Sequence, residues 1–284
     1  MLASLLLAAA AVLPGDVPAP GPPGAVVAAD YSTGTLARVE EGGTVAWRRE
    51  VNNIHDLQPL QGGGLLYQTD FSNVLEADAG GNVVWRYDAG PGVEIHSFRR
   101  LPNGATLIAE SGARRLLEVA KDGTVLKEVP LTVTNQDKHR DTRIVRKTAA
   151  GTYLVAHESD RAVREYDAAG AVVWEYDVGA KVYSAVRLEN GDTLLGTGDG
   201  RSVREVNPAG EVVWELTSGD LPGVELAWVT LCDRLPNGNT RLVNCHAGPG
   251  NPQLLEVTPG KAVVWAWRDF ETFGNATPVA VLAQ

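Results

Sequence analysis

Residues 162–174 read AVREYDAAGAVVW, two short runs with apolar and polar residues interleaved on either side of a small-residue turn. That is the signature of an antiparallel pair of strands with one face buried, ending in a tryptophan. The same ending recurs along the chain as GTVAW (43–47), GNVVW (81–85), GTVLK (123–127), GEVVW (210–214) and GKAVVW (260–265). The markers Trp47, Trp85, Leu126, Trp174, Trp214 and Trp265 fall at intervals of roughly 40 residues, the length of a four-stranded propeller blade.

Each unit divides into four strands. In the third, IHSFRRL is a first strand, LPNG a turn, TLIAES a second strand, RLLEVA a third, KDGT a turn and VLKEV a fourth. Pro-Asn-Gly and Asp-Gly supply the positive φ that a two-residue hairpin turn needs. The first unit opens on AVVAADY (25–31), a second strand with no first strand before it, while TPVAVLAQ (277–284) is left over after the last unit. Pairing the two closes a ring and removes its exposed edges. The expectation is an all-β fold, a six-bladed β-propeller over residues 25–284, closed by Thr277–Leu282. A composition with 31 Gly and a single Met agrees with many short strands and tight turns.

Residues 1–24 stand apart. The apolar run Leu2–Leu13 is too short to span a bilayer and leads into a proline-rich stretch, Pro18–Pro23, as in a secretory signal peptide followed by an extended linker. No basic residue precedes Arg38. The expectation is export to the periplasm or the extracellular space, with no membrane span after signal removal. A net charge of -10 argues against nucleic acid and anionic membrane surfaces as partners. Only Cys232 and Cys245 are present, which rules out a structural zinc cluster. They flank the turn at Asn237-Gly238. If that turn has two residues, Cys232 faces Val243 and Cys245 is offset by two positions, so the sequence leaves a disulfide open.

The Gly-to-Trp element resembles the tryptophan-docking repeat of the PQQ-like propeller superfamily, and the RLPNGNT hairpin is similar to repeats of arylsulfotransferase-like propellers. The resemblance covers nearly all of the chain after about residue 25. It implies a structural role for Trp47, Trp85, Trp174, Trp214 and Trp265, each packing against a neighbouring blade.

The regular turns share one face of the ring. The variable connections share the other, with long insertions at 130–142, 217–227 and 247–253. Variable loops on a rigid scaffold are where binding sites sit. All five histidines fall on or beside that face. His55 and His96 occupy one register at the starts of inner strands, a register filled in later blades by Arg143, Tyr183 and Thr230. These side chains are expected to converge on the mouth of the central channel, with Asp56, Glu94, Arg140, Glu158, Asp199 and Trp228 nearby. His139, His157 and His246 lie at loop or strand ends beside them.

Two classes of function follow. No GxSxG or HExxH signature is present, which favours a binding or scaffold protein whose channel-mouth site takes a small anionic ligand, a glycan or another exported protein. The arylsulfotransferase resemblance implies instead an enzyme in which one of His55, His96, His157 or His246 is a transient nucleophile and Arg140 or Arg143 neutralises the transferred anion. The chain departs from that family in its shortness and in lacking an obvious additional N-terminal domain, and no single histidine aligns with the nucleophile. A quinoprotein dehydrogenase is disfavoured by the six-blade count and the absence of a Cys-Cys pair. A third alternative, a metal-dependent hydrolase of the lactonase type, would gather oxygens of Asn52, Asn53, Asp56, Glu94, Glu158 and Asp199 around calcium. The histidines and Arg143 weigh against it, so neither a cofactor nor a metal-ligand set is assigned. A buried His/Arg cluster in a funnel would favour catalysis, and a flat aromatic face would favour binding.

Overall fold

The computed structural model describes residues 24–282; the signal-peptide and linker expectations fall almost wholly outside them. Six four-stranded antiparallel sheets form the blades of a propeller. Blade one is shared between the chain ends. Its inner strand is Val279–Leu282, paired antiparallel with Val26–Asp30. Closure therefore begins two residues later than Thr277. Val279 and Ala280 are buried there, and the Thr277 hydroxyl donates to Asp30 at 3.1 Å.

The hairpin turns differ from the two-residue expectation. Leu101 accepts from Gly104 N–H at 2.9 Å and donates to the Ala105 carbonyl at 2.8 Å, so the loop has three residues, with Gly104 at φ 85°. Proline and asparagine supply a type I turn and the left-handed glycine closes it. The turn at Leu235–Asn239 has the same bonds. The added residue shifts the register, so Cys232 faces Leu242, and a bulge at Val229/Cys232 sets Cys245 opposite Trp228. Both cysteines are free and buried, with burial pushing both thiols up.

The fourth-strand markers correct in one blade. Lys127, not Leu126, takes the tryptophan position of blade three, because it pairs with Glu118 as Trp85, Trp174 and Trp214 pair with Glu76, Glu165 and Glu205.

That third-strand glutamate reveals how blades join. Arg100 from the inner strand of blade three reaches back to Glu76 of blade two at 2.5 Å and lies over the Trp85 ring at 5.6 Å. Arg187 repeats this on Glu165 and Trp174, and Arg234 on Glu205 and Trp214. Blade three has no tryptophan, and there Lys147 replaces arginine, pairing with Glu118 and lying over Tyr153. The Trp174 and Trp214 indole N–H groups donate to the Pro208 and Pro259 carbonyls in the next blade's turn. Each cation–π contact contributes about 1 kcal/mol, and the half-buried ion pair adds register specificity between blades.

Candidate active site

The variable connections surround a funnel of about 380 Å³ at one end of the central channel. His55, Arg143, Tyr183 and Thr230 line it, each from the start of a different inner strand, together with Tyr31, Phe71, Arg140, Glu158, Trp228 and His246. Local backbone devices aim these groups. Gln68 accepts from the His55 backbone N–H at 2.9 Å and donates to the Ile95 carbonyl at 2.9 Å, tying His55 to blade three. A bulge between Ile95 and Ser97 turns His96 inward, as bulges near functional sites commonly re-aim a side chain. Gly198, at φ 57°, bridges to Val229, and a β-carbon there would meet the Lys181 carbonyl at 1.9 Å. Only glycine lets these segments approach, which brings Lys181 within 5.8 Å of the Trp228 ring.

At the bottom of the funnel, the Nδ1 atoms of His55 and His96 are 2.8 Å apart. Arg143 Nη1 lies 3.2 Å from the first and 3.1 Å from the second. His96 Nε2 is 3.1 Å from Glu94 Oε2. A carboxylate only accepts, so His96 carries its proton on Nε2 and leaves Nδ1 with a lone pair. His96 Nδ1 then accepts from His55 Nδ1–H and from Arg143. His55 is left with an unprotonated Nε2, which has no hydrogen-bond partner among the described residues.

Both rings are held neutral. Burial pushes His55 and His96 well below the ordinary histidine range, and the Arg143 guanidinium adds to the effect. Phe71 packs on both rings, with centroids at 4.7 and 4.6 Å. Glu158 fixes Arg143 through its Nε and also binds Arg140 Nε at 3.2 Å. Tyr31 OH lies 2.8 Å from His246 Nε2 at the rim. Burial lowers His246 and raises Tyr31 to about 12. The Tyr183 hydroxyl and Thr230 Oγ1 are buried and have no hydrogen-bond partner among the described residues, both in the funnel wall.

Three expected residues lie elsewhere. Asp56 is fully buried below the funnel, accepting from Ser97 Oγ at 2.9 Å, the Phe98 backbone N–H at 3.2 Å and Arg146 at 2.9 Å. His157 has both ring nitrogens engaged, with the Asp141 carbonyl at 2.6 Å and Tyr166 OH at 2.8 Å. Asp199 is exposed and accepts from the Lys181 backbone N–H at 2.7 Å. The oxygens considered for calcium are therefore dispersed. Lys181 went unnoticed in the sequence, because nothing in the repeat marks a residue of the blade-four to blade-five connection.

Residues 138–246, from the connection before blade four to the second strand of blade six, match the family model described as outer membrane protein assembly factor BamB. The chain is a six-bladed β-propeller, and this stretch of it is similar to PQQ-like repeats. Among curated proteins, none matches its sequence significantly. A Bacteroides caccae protein of unknown function is similar over 93% of this chain and all of that one, at 24% identity and a TM-score of 0.83. A catalytically inactive virginiamycin B lyase from Staphylococcus aureus, solved with quinupristin, is similar over 88% of this chain and 86% of that one, at 11% identity and a TM-score of 0.62. The WD40 propeller domain of Doa1 is similar over 74% and 69%, at 17% identity and a TM-score of 0.58. These likenesses concern the fold. One ring carries a lyase and the other a WD40 domain, so function rests on the site.

Proposed function

We propose that this propeller is an exported group-transfer enzyme that acts on a small anionic ester, an aryl sulfate being the first candidate, with His55 Nε2 as the nucleophile. The observation that carries this reading is the ordered chain Glu94–His96–His55, which ends in an imidazole lone pair at the floor of a funnel. A carboxylate orienting one histidine, which orients a second, follows the nucleophile–base–orienter logic of covalent catalysis.

Attack of the lone pair on the sulfur would form a bond from Nε2 to the sulfuryl group and expel the aryl oxyanion. An acceptor hydroxyl then takes the group from the imidazole, which recovers its lone pair, and the hydroxyl proton passes to the expelled aryl oxyanion or to water. Arg140, Arg143 and Lys181 supply positive charge around the transferring oxygens. The hydroxyls of Tyr183 and Thr230 are donors for the same oxygens, which would relieve their own desolvation. A buried His/Arg cluster in a concave site favours this over a scaffold with a flat aromatic face. Export rests on the apolar run Leu2–Leu13; no helix among the described residues is long and apolar enough to cross a membrane.

The test is a screen of purified protein with chromogenic aryl sulfates, aryl phosphates and lactones, with and without a phenolic acceptor. Turnover of an aryl sulfate is expected, falling about 10³-fold in His55→Ala. No turnover of any substrate, or equal turnover by His55→Ala, would overturn the proposal. Turnover of lactones alone would replace it with the hydrolase alternative.

A further inference from the structure

Glu94, His96 and His139 form the single group of three metal-ligating side chains found among the described residues, with one donor atom from each lying within 4.8 Å of the others. Glu94 Oε2 is 3.1 Å from His96 Nε2 and 2.7 Å from His139 Nδ1. Two imidazoles and one carboxylate suit a borderline ion such as Zn²⁺, which takes three protein ligands and leaves a position for water; calcium would require six or more oxygens. The second shell is built. Lys138 holds the other carboxylate oxygen of Glu94 at 3.4 Å, and Phe71 packs on His96 and His139 with centroids at 4.6 and 5.3 Å. Arg143 approaches His96 at Nδ1, the ring nitrogen remote from the metal position.

We propose that Glu94, His96 and His139 bind a Zn²⁺-class ion, and that its occupancy converts His55 Nε2 from a lone-pair acceptor into an N–H donor. The second half deepens the nucleophile reading and rests on it; the metal site does not. A metal on His96 Nε2 displaces that proton, so the neutral ring carries its proton on Nδ1. His96 Nδ1–H then donates to His55 Nδ1, and His55 holds its own proton on Nε2. The pair keeps two protons throughout: one leaves His96 Nε2, one moves between the Nδ1 atoms, and solvent returns one to His55 Nε2. His139 likewise moves its proton from Nδ1 to Nε2. Arg143 permits both arrangements, because its Nη1 is 3.2 and 3.1 Å from the two Nδ1 atoms and can donate to whichever holds the lone pair. The ion would thus mask the nucleophile without changing the charge of the imidazoles.

The experiment titrates Zn²⁺ into metal-stripped full-length protein against a chromogenic chelator, alongside His139→Ala and His246→Ala. His139 is half-exposed on a loop, and circular dichroism is to check that its variant is folded. One Zn²⁺ per chain is expected in the wild type and in His246→Ala, with affinity weakened roughly 100-fold in His139→Ala. No stoichiometric binding, or undiminished binding by His139→Ala, overturns the site. ¹⁵N NMR of the histidine rings reads the second half directly: His55 Nε2 should shift from the unprotonated to the protonated range as zinc is added. A His55 signal that stays unprotonated with zinc bound overturns the coupling. Both readouts are independent of turnover, so they stand or fall separately from the sulfuryl-transfer assay.

Discussion

Lowering the pH should destabilise this propeller in a way that His157 makes quantitative. Its ring is buried between blade strands, and burial lowers its pKa from 6.5 to about 4, helped by Arg164 and opposed by the hydrogen bond to the Asp141 carbonyl. The unfolded chain takes up this proton near pH 6.5, while the folded chain refuses it until about pH 4. Between those values the unfolded state binds more protons, so stability falls as pH falls and levels off below the folded value. From pH 7 to pH 5 the loss from this one group is about 2 kcal/mol, from roughly 1.5 pH units at about 1.4 kcal/mol each. His55 and His96 shift in the same direction and steepen the wild-type slope. The substitution His157→Gln isolates the term, because an amide donates to Asp141 and accepts from Tyr166 without a charge to acquire. Urea unfolding at pH 7 and pH 5 should show the variant losing about 2 kcal/mol less than the wild type. Equal losses would mean that His157 is not buried and neutral, and the packing described around Tyr166 would be wrong.

Two further outcomes concern the scaffold. Truncation before Thr277 removes buried Val279 and Ala280 and the strand ladder to Val26–Asp30, a loss of about 5 kcal/mol from apolar burial and hydrogen bonds together; a urea midpoint unchanged by truncation would contradict closure as drawn. Ellman's reagent should find no reactive thiol in the native protein and two after unfolding without reductant, because Cys232 and Cys245 are buried and unpaired; a thiol-free unfolded chain would mean a disulfide.

The ring was legible because each blade repeats its strands, all but the third with a Trp, and because the surplus of TPVAVLAQ met a vacancy at AVVAADY. Turn length was misjudged since Pro-Asn-Gly serves both two- and three-residue loops, and that one residue altered the partner of Cys232. At the site, a shared register pointed to His55, Arg143, Tyr183 and Thr230, which line one funnel. Asp56 lies below the funnel instead, where Ser97 and Arg146 occupy its carboxylate. The link between His55 and His96 needs the bulge at Ile95/Ser97, which no residue type announces. His157 was lost because every residue of Tyr153–His157 is buried, and alternation then carries no information about which side faces the channel.

The clamps between blades have a mechanical consequence. Four junctions, from blade two through blade six, carry an inner-strand cation on the preceding blade's glutamate. Blade one has Arg38 where the other blades have that glutamate, and no cation lies within Val279–Leu282, so neither of its junctions carries this ion pair, and Arg49 on the Gly81 carbonyl is its charged tie to blade two. Tension applied to the two ends of the chain would peel this blade before any other. The rupture line would run between Tyr31 and His246, through the rim of the funnel, so stretching would disable the pocket while five blades remained intact.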